Sequence, residues 1–292
     1  MGRRPKIGLV SHGVSSTGVE KTTSSEELFK RYKANSKSIN LGGKQYFVRE
    51  GDLLLTEDEL EEYAAEQALR EVQNASTSAE LSGSPEGLVG IKVDKKIVRW
   101  QHELTLSYAI LRKSFAQSAF YDIAVECMSK ATADWEQTCD VSFRHANELD
   151  DLAIDDPQLN SVIFRVQQLL EGQDPHLIAL AFFPNDPPDE RVLYLNDPFF
   201  SATLGYDKVG VTRHELGHVL GFRHEHIRSG APPACPYEDP SDTIELTDYD
   251  PKSVMHYFCG GVGSRNMAIT ALDRQGAQTV YGKPKSHYHF CP

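Results

Sequence analysis

From about Ile91 onward, apolar positions fall into blocks whose spacing changes from one block to the next. Leu104–Leu111 is a β-prone stretch and predicts a strand. Across Ala119–Glu136 the residues Ile123, Val125, Met128, Ala131 and Trp135 recur at helical spacing, which predicts a long amphipathic helix. Val141–Arg144 and Val162–Val166 read as short strands. His176–Phe183 is almost continuously apolar, as a strand covered on both faces requires, whereas Val192–Leu195 alternates like an edge strand. Thr270-Ala271-Leu272-Asp273 opens a last helix that closes at Tyr281-Gly282. Strands mixed with helices predict an α/β or α+β domain around a sheet of about five strands.

The first ninety residues are patterned differently. Residues 1–44 are polar with little periodicity and read as loose chain. Gln45–Leu55 is more apolar and leads into Thr56-Glu57-Asp58-Glu59, a capping box for a helix from Glu57 to about Val72. Residues 74–89 are small and polar with Gly and Pro, which marks a linker. The expected organisation is an attached segment over 1–90 and a main domain over 91–292.

Composition narrows the function. Of 292 residues, 40% are hydrophobic and 25% charged, ordinary values for a globular chain. A net charge of −12 argues against a nucleic-acid partner, which needs a basic face. No apolar run is long enough to cross a bilayer, so no membrane partner is expected. The apolar stretch Ile7–Val10 is too short for the core of a signal peptide. Five cysteines suit two local disulfides, Cys127–Cys139 and Cys235–Cys259, with Cys291 left over; five reduced thiols are the alternative on count alone.

The chemistry concentrates after residue 213, where the chain reads H-E-L-G-H-V-L-G-F-R-H-E-H. His214 and His218 are four apart, so on a helix both imidazoles project from one face and suit two ligands of a tetrahedral zinc. Glu215 lies on the same turn and can stand beside a metal without binding it. Gly221 can end the helix in a left-handed conformation and turn the chain, so that His224 supplies the third nitrogen. Three histidines leave one position for water, as a catalytic zinc requires.

This pattern resembles the metzincin clan of zinc peptidases, whose signature H-E-x-x-H-x-x-G-x-x-H is followed by a Met-turn, here Ser253-Val254-Met255-His256-Tyr257. Glu225 directly after the third histidine and Tyr257 two after the methionine resemble the astacin family. The closing D-R-Q-G-A-Q-T-V-Y-G, residues 273–282, is more like matrixin relatives, the second choice. The resemblance implies an α+β fold with a twisted five-stranded mixed sheet, an active-site helix and a mostly irregular C-terminal subdomain. Its two parts would cover about 91–222 and 223–292. It implies one catalytic zinc on His214, His218 and His224, and Glu215 shuttling a proton between water and the leaving amine. Tyr257 would stabilise the tetrahedral intermediate, Met255 would lie beneath the zinc, and Glu225 would be structural. A substrate peptide would bind as an extended strand along an antiparallel edge strand near Arg191–Asn196. Relatives are mostly secreted, which sets the expected location, and a monomer is expected.

In Phe47-Val48-Arg49-Glu50-Gly51-Asp52-Leu53 the E-G-D core resembles the pro-segment motif by which astacins block zinc with an aspartate. Asp52 is therefore the expected ligand of a latent form. Two other readings stand beside the peptidase: a zinc-stabilised binding module without turnover, and a toxin or effector subunit with one narrow target. The acidic group Glu148, Asp150, Asp151, Asp155 and Asp156 offers oxygen ligands for calcium but lacks an EF-hand pattern, and reads as a solvated loop.

Overall fold

The computed structural model describes residues 24–41, 43–49, 53–61, 63–65, 68, 88–93, 96–169, 177–228, 230–232, 234–235 and 243–285. Asp52, Cys291 and the linker up to residue 87 lie outside the described residues.

The N-terminal part carries more structure than its polarity predicts. Helix α1 (Ser25–Asn35) opens on a capping box between Ser24 and Glu27. Its few apolar side chains, Leu28 with Phe29 and Tyr32, pack on Ala64 and Ala68 of the helix that begins at residue 57. Polar helices of this kind leave almost no periodic trace, but the Ser24-x-x-Glu27 box was a legible start signal. Strands β1 (Lys37–Leu41), β2 (Lys44–Arg49) and β3 (Leu53–Leu55) form an antiparallel meander. The Thr56–Glu59 box follows as expected, with the Glu59 amide donating to Thr56 Oγ1 and the Thr56 amide to the Glu59 carboxylate.

The main body begins with β4 (Val89–Val93), which turns back through β5 (Lys96–Ile97). A five-stranded sheet follows, built from β6 (Thr105–Ile110), β7 (Ser142–His145), β8 (Phe164–Gln168), β9 (Ala179–Leu180) and β10 (Val192–Leu195). Its order is β7-β6-β8-β10-β9, with β9 alone antiparallel. The expected α+β architecture with a mixed five-stranded sheet is thus present. Helix α2 (Ser118–Glu136) buries Met128, Ala131 and Trp135 of the expected stripe, together with Tyr121, Ala124 and Cys127, while Ile123 and Val125 are only half-buried against the core.

One strand assignment is corrected. Val192–Leu195 is not the antiparallel edge; β10 is enclosed between β8 and β9, and the antiparallel edge is Ala179–Leu180. Side-chain alternation reports how the faces are covered, not whether both backbone edges are paired. The apolar run around β9 was correctly read as covered on both faces. Ala179 faces the main core, while Leu180 packs with Leu169, Leu177 and, from β1, Ile39. Tyr46, Val48 and Tyr194 close the same cluster, and Lys44 pairs with Glu190 at 3.0 Å, so the N-terminal meander packs through its side chains on the β9–β10 end of the sheet.

Beyond the sheet come helix α3 (Lys208–Val219), β11 (Phe222–Arg223), β12 (Thr243–Glu245) and helix α4 (Ala271–Tyr281). β4 lies between β11 and β12, antiparallel to both, with Gly90 opposite Phe222 and Ile244. α2 backs α3 directly: the Trp135 indole donates to the Arg213 carbonyl at 2.9 Å, and its ring stacks on Phe222.

Candidate metal centre

Helix α3 supplies the first two histidines. Its N-cap is Asp207, whose carboxylate accepts from the Gly210 amide and meets the Arg213 guanidinium at 3.2 Å. His214, Glu215 and His218 are each at most 3% exposed. The helix stops at Val219, and Gly221 follows at φ +93°, the left-handed turn foreseen from the glycine. A side chain there would also collide with backbone, since a Cβ would stand 2.6 Å from the Val98 carbonyl oxygen. β11 then delivers His224, which is 1% exposed.

One ligand atom from each of His214, His218 and His224 lies within 4.8 Å of the others. Among the described residues this is the one group that gathers three metal-ligating side chains. Carbonyl oxygens only accept, so His214 Nδ1 donates to Val254 O and His218 Nδ1 to Phe222 O, both at 2.8 Å. A ring held this way carries its metal-binding lone pair on Nε2, and the carbonyl on the opposite nitrogen fixes its orientation. His218 Nε2 and His224 Nε2 are 3.2 Å apart. Metal–nitrogen bonds of about 2.0–2.1 Å in a tetrahedron separate two ligands by roughly 3.3 Å. The donor set therefore fits zinc in chemistry, tautomer and spacing.

The turn Ser253–Tyr257 packs against helix α3 next to this group. Met255 is fully buried, and a Cβ on Gly217 would lie 2.3 Å from its Sδ, so helix and turn are in close contact. The Met255 carbonyl accepts the Glu225 amide. Asp273 ties the turn to α4: its carboxylate accepts the Ser253 hydroxyl at 2.6 Å, the Val254 amide at 2.8 Å and the Thr270 amide at 2.9 Å. Burial raises the Asp273 carboxyl above its ordinary range, against the pull of those three donors. Sequence reading placed Asp273 at the opening of the last helix and missed both its part in the Thr270 capping box and this second task.

Tyr257 is partly exposed, its ring centroid 4.4 Å from that of His224 and 5.7 Å from that of His214. His226 stacks on both His224 and Tyr257. His256 donates from Nδ1 to the Tyr257 carbonyl, which leaves Nε2 to accept from the Tyr249 hydroxyl at 2.8 Å. Burial holds His256 below the usual imidazole range. Glu225 is fully buried, accepting from the Asp250 amide at 2.9 Å and from Arg228 at 3.3 Å. Arg228 also reaches Glu245 at 2.8 Å and the Thr247 carbonyl at 3.1 Å. Burial raises the Glu225 carboxyl despite the Asp250 amide and the Arg228 charge.

The cysteine expectation divides. Cys235 and Cys259 are disulfide-bonded, which places the bond two residues from Tyr257. Cys127 and Cys139 are free and buried, so that pairing is withdrawn. Cys127 sits in mid-helix, and the rest of α2 carries the chain roughly 14 Å further at 1.5 Å per residue, beyond a disulfide's reach. The acidic group around 148–156 is occupied with structural tasks. Asp150 is buried and accepts from the Ile110 amide, the Tyr121 hydroxyl and His145, while Glu148 and Asp151 pair with Arg144 and Arg112. Asp156 caps a 3₁₀ turn.

Residues 99–250 match the family model described as Matrixin. No curated protein matches the chain. Among solved structures it is similar to high choriolytic enzyme 1, a hatching-enzyme zinc-protease from the medaka fish Oryzias latipes. That likeness has 17% identity and a TM-score of 0.40, over 61% of this chain and 90% of the other.

Proposed function

The chain belongs to the matrixin family, within the metzincin clan of zinc metallopeptidases; from this premise we propose that it is an endopeptidase with a single zinc on His214, His218 and His224. The observation that carries the site assignment is the convergence of the three imidazoles, with two Nε2 atoms fixed by carbonyl acceptors on their opposite nitrogens. When bound, the ion supplies a Lewis acid that polarises a carbonyl and acidifies water. Glu215 is buried beside the triad, where a carboxylate serves to take a proton from water and return it to the leaving amine. Tyr257, against His224 and partly open, is placed to donate from its hydroxyl to the oxyanion. Tyr257 and Glu225 are the two positions on which an astacin-like reading of the site would rest. Glu225 holds the segment after His224 to the Asp250 turn. The edge strand β9 is where an extended substrate peptide would add as a further strand.

We read the residues before β4 as a pro-segment that keeps the enzyme latent, with Asp52 the ligand that occupies the zinc; Val89 and Gly90, expected in that segment, instead pair with β11 in the main body. The chain is read as a secreted monomer with neither nucleic acid nor membrane as partner; among the described residues no helix is long and apolar enough to cross a membrane.

The test is cleavage of a quenched peptide library by the chain before and after a cut in the 74–87 linker, with zinc measured in parallel. Glu215→Gln should abolish cleavage while retaining about one zinc per chain. Tyr257→Phe should lower kcat by about 10²-fold with little change in KM. Asp52→Ala should make the uncut chain active. Full zinc occupancy without cleavage by the cut chain would favour the binding-module reading instead.

A further inference from the structure

Helix α3 must stop abruptly, because one more turn would carry His224 away from the other two ligands. The last carbonyls of a helix have no intrahelical donors and need partners. Here three consecutive carbonyls find them far away in sequence. The Val219 oxygen accepts from the Trp100 indole Nε1 at 2.7 Å. The Leu220 oxygen accepts from the Tyr281 hydroxyl at 2.7 Å. The Gly221 oxygen accepts from the Ile91 amide at 3.2 Å. Two of the donors bond each other, and the third is tied to Val98. The Trp100 amide donates to the Tyr281 oxygen at 3.3 Å, and the Val98 amide donates to the Ile91 carbonyl at 2.9 Å. Trp100 and Tyr281 are 8% and 2% exposed, so water does not substitute for either.

We propose that Ile91, Trp100 and Tyr281 form a collar that fixes the turn between His218 and His224, making them positioning residues for the third zinc ligand. The collar reaches β11 as well, where Gly90 and Val89 pair with Phe222 and Arg223, the two residues before His224. Phe222 is held twice over, since its carbonyl also accepts His218 Nδ1. Movement of this short strand therefore disturbs two ligands at once: His224 by displacement, His218 by loss of its orienting acceptor. Ile91 and Tyr281 both lie outside the residues matched by the family model, 99–250, so that match does not assign this task. The inference rests on the zinc reading of the triad.

The test uses the full chain with Trp100→Phe and Tyr281→Phe, each of which removes one donor and keeps an aromatic ring. Zinc affinity is read by competition with a chromophoric chelator, and ligand geometry by the visible absorption of the cobalt(II) form. Each variant should bind zinc about tenfold or more weakly and show an altered cobalt spectrum. Leu159→Ala, in the separate cluster with Ala109 and Leu111, is the control for a general loss of stability. It should lower the melting temperature and leave zinc affinity within about twofold of the parent. Two collar variants that melt lower yet bind zinc as tightly as the parent would overturn the proposal. Should either fail to fold, amide hydrogen exchange of the metal-free parent decides the matter. An Ile91 amide exchanging at the open-chain rate refutes the collar, and strong protection supports it. A parent that takes up no zinc would sink the zinc reading, while the Ile91 exchange would still report on the clamp.

Discussion

Replacing Gly217 with alanine tests the contact between α3 and the Met-turn. On helix propensity alone the change should stabilise the chain by about 1 kcal/mol. The structure reverses that sign. An alanine Cβ would sit 2.3 Å from Met255 Sδ and 3.1 Å from its Cε, with Trp135 Cζ2 at 3.5 Å. Ordinary contact needs about 3.5–4.0 Å, so the sulfur must retreat by more than about 1 Å. Met255 and Trp135 are both fully buried and have no solvent to move into. Overpacking of this kind costs about 1–3 kcal/mol, which outweighs the gain in propensity. Met255→Ala alone should cost about 2–5 kcal/mol by opening a cavity. In the double variant the new methyl group occupies that space, so the losses should fall short of additivity by about 1–3 kcal/mol. Urea unfolding of the metal-free proteins measures all four corners of the cycle. If Gly217→Ala proves stabilising, or the two changes add within about 0.5 kcal/mol, helix and Met-turn do not meet as described.

Asp186 and the disulfide give two further expectations. Burial pushes the Asp186 carboxyl up to about 6, opposed by the Phe183 amide and reinforced by Glu59 and Glu190. A raised acid pKa means that the folded chain binds the proton more tightly than the unfolded chain. The contribution of Asp186 is therefore fully present below about pH 4 and is lost, by up to about 3 kcal/mol, as pH rises through 6; Asp186→Asn should remove that part of the slope in unfolding titrations, and an unchanged slope would refute the assignment. Cys235–Cys259 closes a loop with a sequence separation of 24, worth about 3 kcal/mol of unfolded-chain entropy. Reductant should lower the urea midpoint accordingly, while Cys127 and Cys139, pushed by burial to about 11 and about 12, stay unlabelled by iodoacetamide until the chain unfolds. Prompt labelling of either in the folded chain would contradict their placement.

The metal site was legible because its chemistry is local. His214 and His218 lie one helical turn apart, Gly221 makes one reversal and His224 follows it, so each position follows from helix geometry or glycine conformation. The capping box at Thr56 and the helix opening at Thr270 were readable for the same reason. What escaped was whatever depends on chain crossovers. Nothing in Val192–Leu195 says that Ala179–Leu180, earlier in the chain, will pair along its outer side. Nor does any side chain announce that the carbonyls of Val254 and Phe222 will orient two ligands, since a backbone acceptor carries no residue identity. α1 went unseen because a polar helix held by Leu28, Phe29 and Tyr32 has too narrow an apolar face to register.

The meander β1–β3 packed on the β9–β10 end of the sheet bears on how the protein behaves at high concentration. Among the described residues β9 pairs with β10 alone, and Leu177, Leu180 and Tyr194 beside it are apolar; Ile39, Tyr46 and Val48 pack on those side chains. Bare sheet edges flanked by greasy side chains recruit strands from other molecules, the first step of edge-to-edge aggregation. The N-terminal meander thus acts as a built-in solubility shield. A chain stripped of it would self-associate more readily unless a peptide took its place, and light scattering should show the onset moving to lower protein concentration.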